Sequence, residues 1–307
     1  MKPAVRQTRA FLMDLFERHG FYPRHDLGQN FLIDLNILDV VVREAGLTRD
    51  DVVIEVGSGT GGLTTHMAVE AGHVVSVEYD RNMFGLASEH AGVFPNVTLM
   101  NCDALRNKNH LATEVLEEIQ KHLAVDPNRT LKMVANLPYN IATPLISNLI
   151  ATELPWTKIV VMVQLELAER MAALPHISNY NGLSVWVQSQ ADVKIVRRIP
   201  PTVFWPRPDV NSAIISITPV PERRALIKDR KFFQNYVRMV FTQRRKMLRK
   251  VTCGVLGNDL TKAQVDEAFE AEGLTQTTRA EELLPAQLVS LSNRLRDAIV
   301  RRDEGGA

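Results

Sequence analysis

Cysteine is nearly absent from this chain. Its two copies in 307 residues, Cys102 and Cys253, lie far apart and near no Cys/His cluster, so neither a disulfide framework nor a zinc site is indicated. None of the eight His residues falls in a recognisable catalytic or ligating arrangement, and no metal is implied. No apolar run approaches the length that spans a bilayer, so no membrane segment is expected. Residues 1–20 interleave Arg6, Arg9 and Arg18 with Asp14 and Glu17, which suits neither a signal nor a transit peptide. A cytoplasmic protein is therefore expected. There is no internal repeat.

Net charge is also low, at +1, but it is unevenly spread. Residues 222–250 hold eleven Lys/Arg against two acids, Glu222 and Asp229, which is +9 and leaves −8 for the rest. Such a block suits a polyanion partner, and equally a solvated helix face. At 45% hydrophobic, the chain can bury an α/β core and still carry a second, smaller domain.

Periodicity predicts a helix over residues 8–19 stopped at Gly20, and another from Leu35 that ends near Gly46. Residues 52–56 form a buried-strand run, followed by Gly57-Ser58-Gly59-Thr60-Gly61-Gly62 and a helix over 65–71. This strand, glycine turn and helix is the context of a nucleotide-binding loop, where Gly57, Gly59 and Gly62 bring bare backbone against a cofactor. A second strand over 73–77 ends in Glu78, placed to accept hydrogen bonds from ribose hydroxyls. After a helix over 81–90 and a strand over 97–100 comes Asp103, whose carboxylate suits an exocyclic adenine amine. Residues 106–129 read as polar and mostly helical.

The strand through Met133-Val134-Ala135 then breaks into Asn136-Leu137-Pro138-Tyr139. Proline removes a donor and fixes φ, so the strand must stop there and aim an amide and an aromatic ring beyond the sheet edge, where ligands bind in open α/β sheets. A helix over 141–151, a strand over 158–163, a helix over 166–173 and strands over 192–198 and 212–218 complete five β-to-α units and a final strand pair. The fold class is α/β, a doubly wound sheet. The stiff loop at 200–208 carries Phe204, which reads either as a second stacking ring or as core. Beyond a linker at 219–221 only helices recur: a basic helix over 229–251, then 261–272, capped by Thr261 with Gln264, and 285–301, ahead of a tail at 305–306 expected to be disordered. The domains are thus 1–219 and 220–307.

Two cofactor classes fit the glycine loop and ribose acid, NAD(P) and S-adenosylmethionine. Glu55 and Asp103 suit a cationic, amino-acid-bearing nucleoside better than a pyrophosphate, and nothing supplies a hydride-transfer acid. To methylate an exocyclic amine, acceptors on its two N–H protons must free a delocalised lone pair. The Asn136 side-chain oxygen and a carbonyl near Leu137 could serve. The base must come from a loop or be flipped out, and Tyr139 is placed to stack on it.

Taken together, LGQNFL (27–32), EVGSGTGGLT (55–64), NLPYN (136–140) with Thr143-Pro144, GLSV (182–185), F-x-P-x-P (204–208), Ser212-Ala213 and F-x-QRRK-x-LR (241–249) make the chain resemble the KsgA-type small-subunit rRNA adenine N6-dimethyltransferases from about residue 28 to 284. The resemblance implies a Rossmann-like S-adenosylmethionine-dependent methyltransferase sheet with a small all-helical C-terminal domain. It implies donor contacts at Asn30, Leu32, Gly57, Glu78, Asp103 and Asn136, and a flipped adenine near Pro138 and Tyr139. It further implies two methylations on each of two adjacent adenines in a terminal loop of small-subunit rRNA, with the immature subunit as partner to a monomer. The basic helix would then touch RNA phosphates through Arg244, Arg245, Lys246 and Arg249. Departures from the family pattern are Ser58, Thr60, Leu165, Asn181 and Asn211. The alternatives are a large-subunit rRNA methylase, which usually carries Ile where Leu137 stands, and an assembly factor with reduced catalysis.

Overall fold

The computed structural model describes residues 6–24 and 28–305. Leu27 of the LGQNFL motif and Gly306 of the tail lie outside them. Seven strands form one sheet: β1 (Asp51–Val56), β2 (His73–Val77), β3 (Val97–Met100), β4 (Thr130–Asn136), β5 (Trp156–Gln164), β6 (Ala191–Ile199) and β7 (Ser212–Pro219). Their order is β3-β2-β1-β4-β5-β7-β6. β1 to β5 run parallel, whereas β7 pairs antiparallel with β5 from Ser212 opposite Gln164 to Ile217 opposite Ile159. Every residue of β1 is buried, as expected of a central parallel strand covered on both faces. The order reverses between β1 and β4, so the glycine turn and the Asn136 strand end open on the same crevice.

Helices α1 (Arg9–His19), α2 (Leu35–Ala45), α3 (Gly62–Glu70), α4 (Arg81–Ala91), α5 (Thr113–Leu123) and α6 (Ala142–Ala151) accompany the sheet, and α7 (Leu165–Met171) and α8 (Gly182–Gln188) follow β5 in the chain. Gly20 closes α1 in the left-handed region, as expected, and Thr8, expected as its first residue, caps it instead. Ile37, Leu38, Val41 and Val42 of α2 share a core with Met67 and Ala68 of α3 and with Val53, Val74, Val134 and Val160 of the sheet. Residues 106–129 are less helical than expected: a short hairpin, Leu105–Asn107 with His110–Leu111, precedes α5.

The contacts divide the chain into two compact units, Met1–Ala168 with Lys194–Thr218, and Glu169–Val193 with Pro219–Ala307. This corrects the expected division at 219/220, because Glu169–Val193 belongs with the helical unit. Its α8, capped by Asn181 and Ser184, packs on α10 (Arg230–Phe241) and α13 (Pro285–Gly305), which follow a one-turn helix α9 (Pro221–Ala225). α11 (Leu248–Val255) and α12 (Lys262–Ala271) complete the unit, and Thr261 and Gln264 form the capping box expected at α12. The expected single helix over 229–251 is in fact two. Thr242 to Met247 turn because Met247 bridges to Arg279 and the Leu248 amide donates to the Thr278 carbonyl at 2.8 Å. Tertiary pairing overrides the helical propensity of Gln, Arg, Lys and Met there.

Candidate active site

A cavity of about 350 Å³ lies at the C-terminal ends of β1, β2 and β4. Its floor is the glycine turn. Gly57, Gly59 and Gly61 have φ of 85°, 56° and 79°, a conformation that side-chain-bearing residues rarely adopt. The Gly57 amide donates to the Val77 carbonyl at 2.8 Å, which ties the turn to the end of β2. A Cβ on Gly57 would stand 3.2 Å from Pro138 Cδ, so the turn and the strand end of β4 touch through a gap that only glycine leaves open.

Glu78 is fixed from both sides. The Gly59 amide donates to one carboxylate oxygen at 2.8 Å and the Asp80 amide to the other at 2.9 Å. Burial raises its pKa, those two amides oppose the rise, and lone pairs remain for hydroxyls entering the cavity. Asp103 is exposed on the rim, and one of its oxygens accepts from the Leu105 amide at 2.9 Å. Glu55 is fully buried below the turn, where its carboxylate accepts from the Thr64 and Ser76 hydroxyls at 2.5 Å each. Burial pushes it up to about 7, the two hydroxyls pull it back, and the nearby Glu78 adds to the rise.

Across the cavity, Asn136 Nδ2 donates to the Asn30 carbonyl at 2.9 Å. With its nitrogen committed, the amide leaves Oδ1 as its acceptor. The Leu137 amide donates to the Met162 carbonyl at 3.1 Å, and Leu137 is buried against the sheet. Tyr139 is partly buried, and its hydroxyl lies 2.8 Å from Ser212 Oγ at the start of β7, which fixes the plane of the ring. Burial raises the phenol's pKa, so the ring stays neutral.

Asn30, Leu32, Gly57, Gly59, Glu78, Asp103, Asn136, Leu137, Pro138 and Tyr139 therefore all line one cavity. Phe204 does not. It is 3% exposed and packs in the core, because residues 204–205 pair with Phe31 and Leu32 as a two-stranded ribbon; of the two readings of this ring, the core is correct. Two residues of the site carried no role in the sequence. Ser212 fell in a motif known only by resemblance, and Gln7, which also lines the cavity, gives no signal of its own.

The basic block is less available than its charge count suggests. Arg244 donates to the Ser178 and Tyr180 carbonyls at 2.6 and 2.8 Å and lies 3.6 Å from Glu281. Arg249 forms a two-point pair with Asp266, one arm at 2.7 Å. Arg223 pairs with Asp192 at 2.9 Å and Lys228 with Asp297 at 2.7 Å. Arg244 and Arg249 thus have partners within their own unit, while Arg245 and Lys246 are exposed.

Known proteins resemble this chain over most of its length. The family model "Ribosomal RNA adenine dimethylase" matches residues 20–297. A "Ribosomal RNA small subunit methyltransferase A" of Pediococcus pentosaceus is 38% identical over 94% of this chain and 94% of its own. Its namesake in Streptococcus pneumoniae is 36% identical over 92% and 95%. Among solved structures, a dimethyladenosine transferase from Plasmodium falciparum superposes with a TM-score of 0.73 at 23% identity, covering 87% of this chain and 98% of that one. The 23S rRNA methyltransferase ErmE gives 0.61 at 22%, covering 87% and 100%. These two likenesses speak for the fold.

Proposed function

The chain belongs to the ribosomal RNA adenine dimethylase family, methyltransferases of rRNA, and on that premise we propose how its cavity works and on what. The enzyme dimethylates rRNA adenine at N6, with S-adenosyl-L-methionine as donor. Its substrate is a pair of adjacent adenines in a terminal loop of small-subunit rRNA, met on the immature subunit, and it works as a cytoplasmic monomer. No described helix is long and apolar enough to cross a membrane.

The donor supplies an electrophilic methyl on a sulfonium. The residues present suit that donor: two carboxylates, Glu78 and Asp103, border a cavity whose floor is bare backbone at Gly57 and Gly59. Glu78 accepts from the ribose hydroxyls and Asp103 from the adenine amine. The target base stacks on Tyr139 and presents its N6 to Asn136 Oδ1. Accepting an N–H there draws the nitrogen away from conjugation and turns its lone pair toward the donor side; the methylated nitrogen is then acidic enough to shed its proton to water, so no strong base is essential. The observation that supports this reading is the Asn136–Asn30 bond, which commits Nδ2 and leaves Oδ1 as the amide's acceptor.

The test is transfer of labelled methyl to immature small subunits, followed by mapping of the modified nucleotides. N6-dimethyladenosine at two neighbouring adenines is expected. Label in large-subunit rRNA, or normal RNA binding with no transfer, would overturn the reading. S-adenosylmethionine, and not NAD, should raise the melting temperature.

A further inference from the structure

The family match begins at residue 20, yet one residue lining the cavity, Gln7, comes from before that point. Gln7, just ahead of α1, is only 5% exposed. Its partner lies on the glycine loop: Nε2 donates to the Thr60 carbonyl at 2.9 Å, and Oε1 accepts from the Thr60 hydroxyl. A buried amide bonded at both ends to one residue fixes that residue's peptide and its rotamer together. The same Oε1 fills the space beside Gly62, where an added Cβ would come within 2.8 Å. Gly62 opens α3 and has no left-handed φ, so its missing side chain serves the approach of Gln7.

A second contact reaches the same loop. Leu12, Leu15 and Phe16 of α1 pack with Met83 and Leu86 of α4, and Phe31 lies against that cluster. The rings of Phe16 and Phe31 are 5.2 Å apart, and Phe31 stands 3.0 Å from where a Gly59 Cβ would be. Residues 7–16 therefore bear on the loop at Gly59, Thr60 and Gly62. Glycines at 57, 59 and 61 leave that loop with many accessible shapes, so a restraint from outside it decides which one is populated.

We propose that Gln7 and α1 form a clamp that holds the glycine loop in its donor-binding shape, with Gln7 as a positioning residue for S-adenosylmethionine; this rests on the methyl-donor reading of the cavity. A loop ordered beforehand removes an ordering cost from binding. The clamp acts on the donor side alone.

Gln7→Met keeps the length of the side chain and deletes both hydrogen bonds, while Gln7→Ala also empties the space beside Gly62. Both are tested in the full chain by calorimetric titration with S-adenosylmethionine, filter binding to small-subunit rRNA, and thermal unfolding. Donor affinity should fall about tenfold in each, the weight of roughly one net hydrogen bond, with RNA affinity unchanged and KM for the donor raised more than kcat is lowered. Gly62→Ala should weaken donor binding in the parent by pushing Gln7 aside, and add nothing in the Gln7→Ala background. Variants that melt earlier yet bind the donor as the parent does would overturn the clamp, as would additive losses from Gln7→Ala and Gly62→Ala. If the parent itself binds no S-adenosylmethionine, the methyl-donor reading fails and takes the clamp with it; parent binding with unaltered variants removes the clamp alone.

Discussion

Replacing Asn136 with Ala should leave donor and RNA bound while stopping transfer between them. Two functions of one amide are lost in this variant, and their magnitudes differ. The bond from Nδ2 to the Asn30 carbonyl at 2.9 Å is one neutral hydrogen bond in a partly buried position, so losing it costs about 0.5–1.5 kcal/mol of local order. The Oδ1 acceptor acts where charge changes during transfer, and removing one such preorganised group typically costs about 10²–10³ in rate, roughly 2.7–4 kcal/mol. Single-turnover transfer of labelled methyl to immature small subunits should therefore fall by at least about a hundredfold. Donor affinity should drop by about tenfold at most, and RNA affinity by filter binding should not move. Asn136→Asp keeps an acceptor but cannot donate to Asn30, so it sets oxygen against oxygen and should fail to rescue. Transfer within tenfold of the parent, or RNA binding lost in step with transfer, would refute the role.

Three further outcomes follow from the geometry. Arg244→Ala should lower the denaturation midpoint by the equivalent of about 1–3 kcal/mol, since it strips the Ser178 and Tyr180 carbonyls of their donor. Arg245→Ala and Lys246→Ala should leave the midpoint alone and each reduce the salt slope of RNA binding by about one; equal stability in all three variants would refute the division. Glu55 is held at about 7 by burial against an ordinary 4.5, so between these values the folded chain keeps a proton that the unfolded chain has released, and stability falls as pH rises through that window. Glu55→Gln should flatten that slope and exceed the parent at pH ~8 by up to about 3 kcal/mol in chemical denaturation, a result that parallel curves would contradict. Phe204→Ala should cost about 3–5 kcal/mol of stability while sparing transfer per folded molecule; lost transfer at intact stability would restore its stacking role.

What could be read from the sequence was what neighbouring residues decide. Gly57, Gly59, Glu78 and Asn136 sit where turn chemistry and strand length put them, and Thr8, Gly20, Thr261 and Gln264 mark helix ends through contacts three or four residues away. What escaped depends on partners far along the chain. Arg244 reads as a helix-forming surface cation until its carbonyl acceptors appear 66 and 64 residues upstream. Phe204 sits among prolines that suggest an exposed loop, and only its pairing with Leu32 turns it inward. Glu169–Val193 follows sheet strands in order, but its α8 finds its neighbours in α10 and α13. A cation count cannot reveal that Asp266 already answers Arg249.

The bond between Tyr139 and Ser212 also has a consequence in time. The glycine turn, Glu78 and Asp103 all precede residue 104 in the chain, whereas Tyr139, the ring proposed to receive the base, has no anchor at Ser212 until β7 pairs with β5, more than a hundred residues later. Long-range pairing of this kind is slow compared with local helix formation. The strand that comes last in the sheet is the one that anchors the ring on which stacking of the base is proposed.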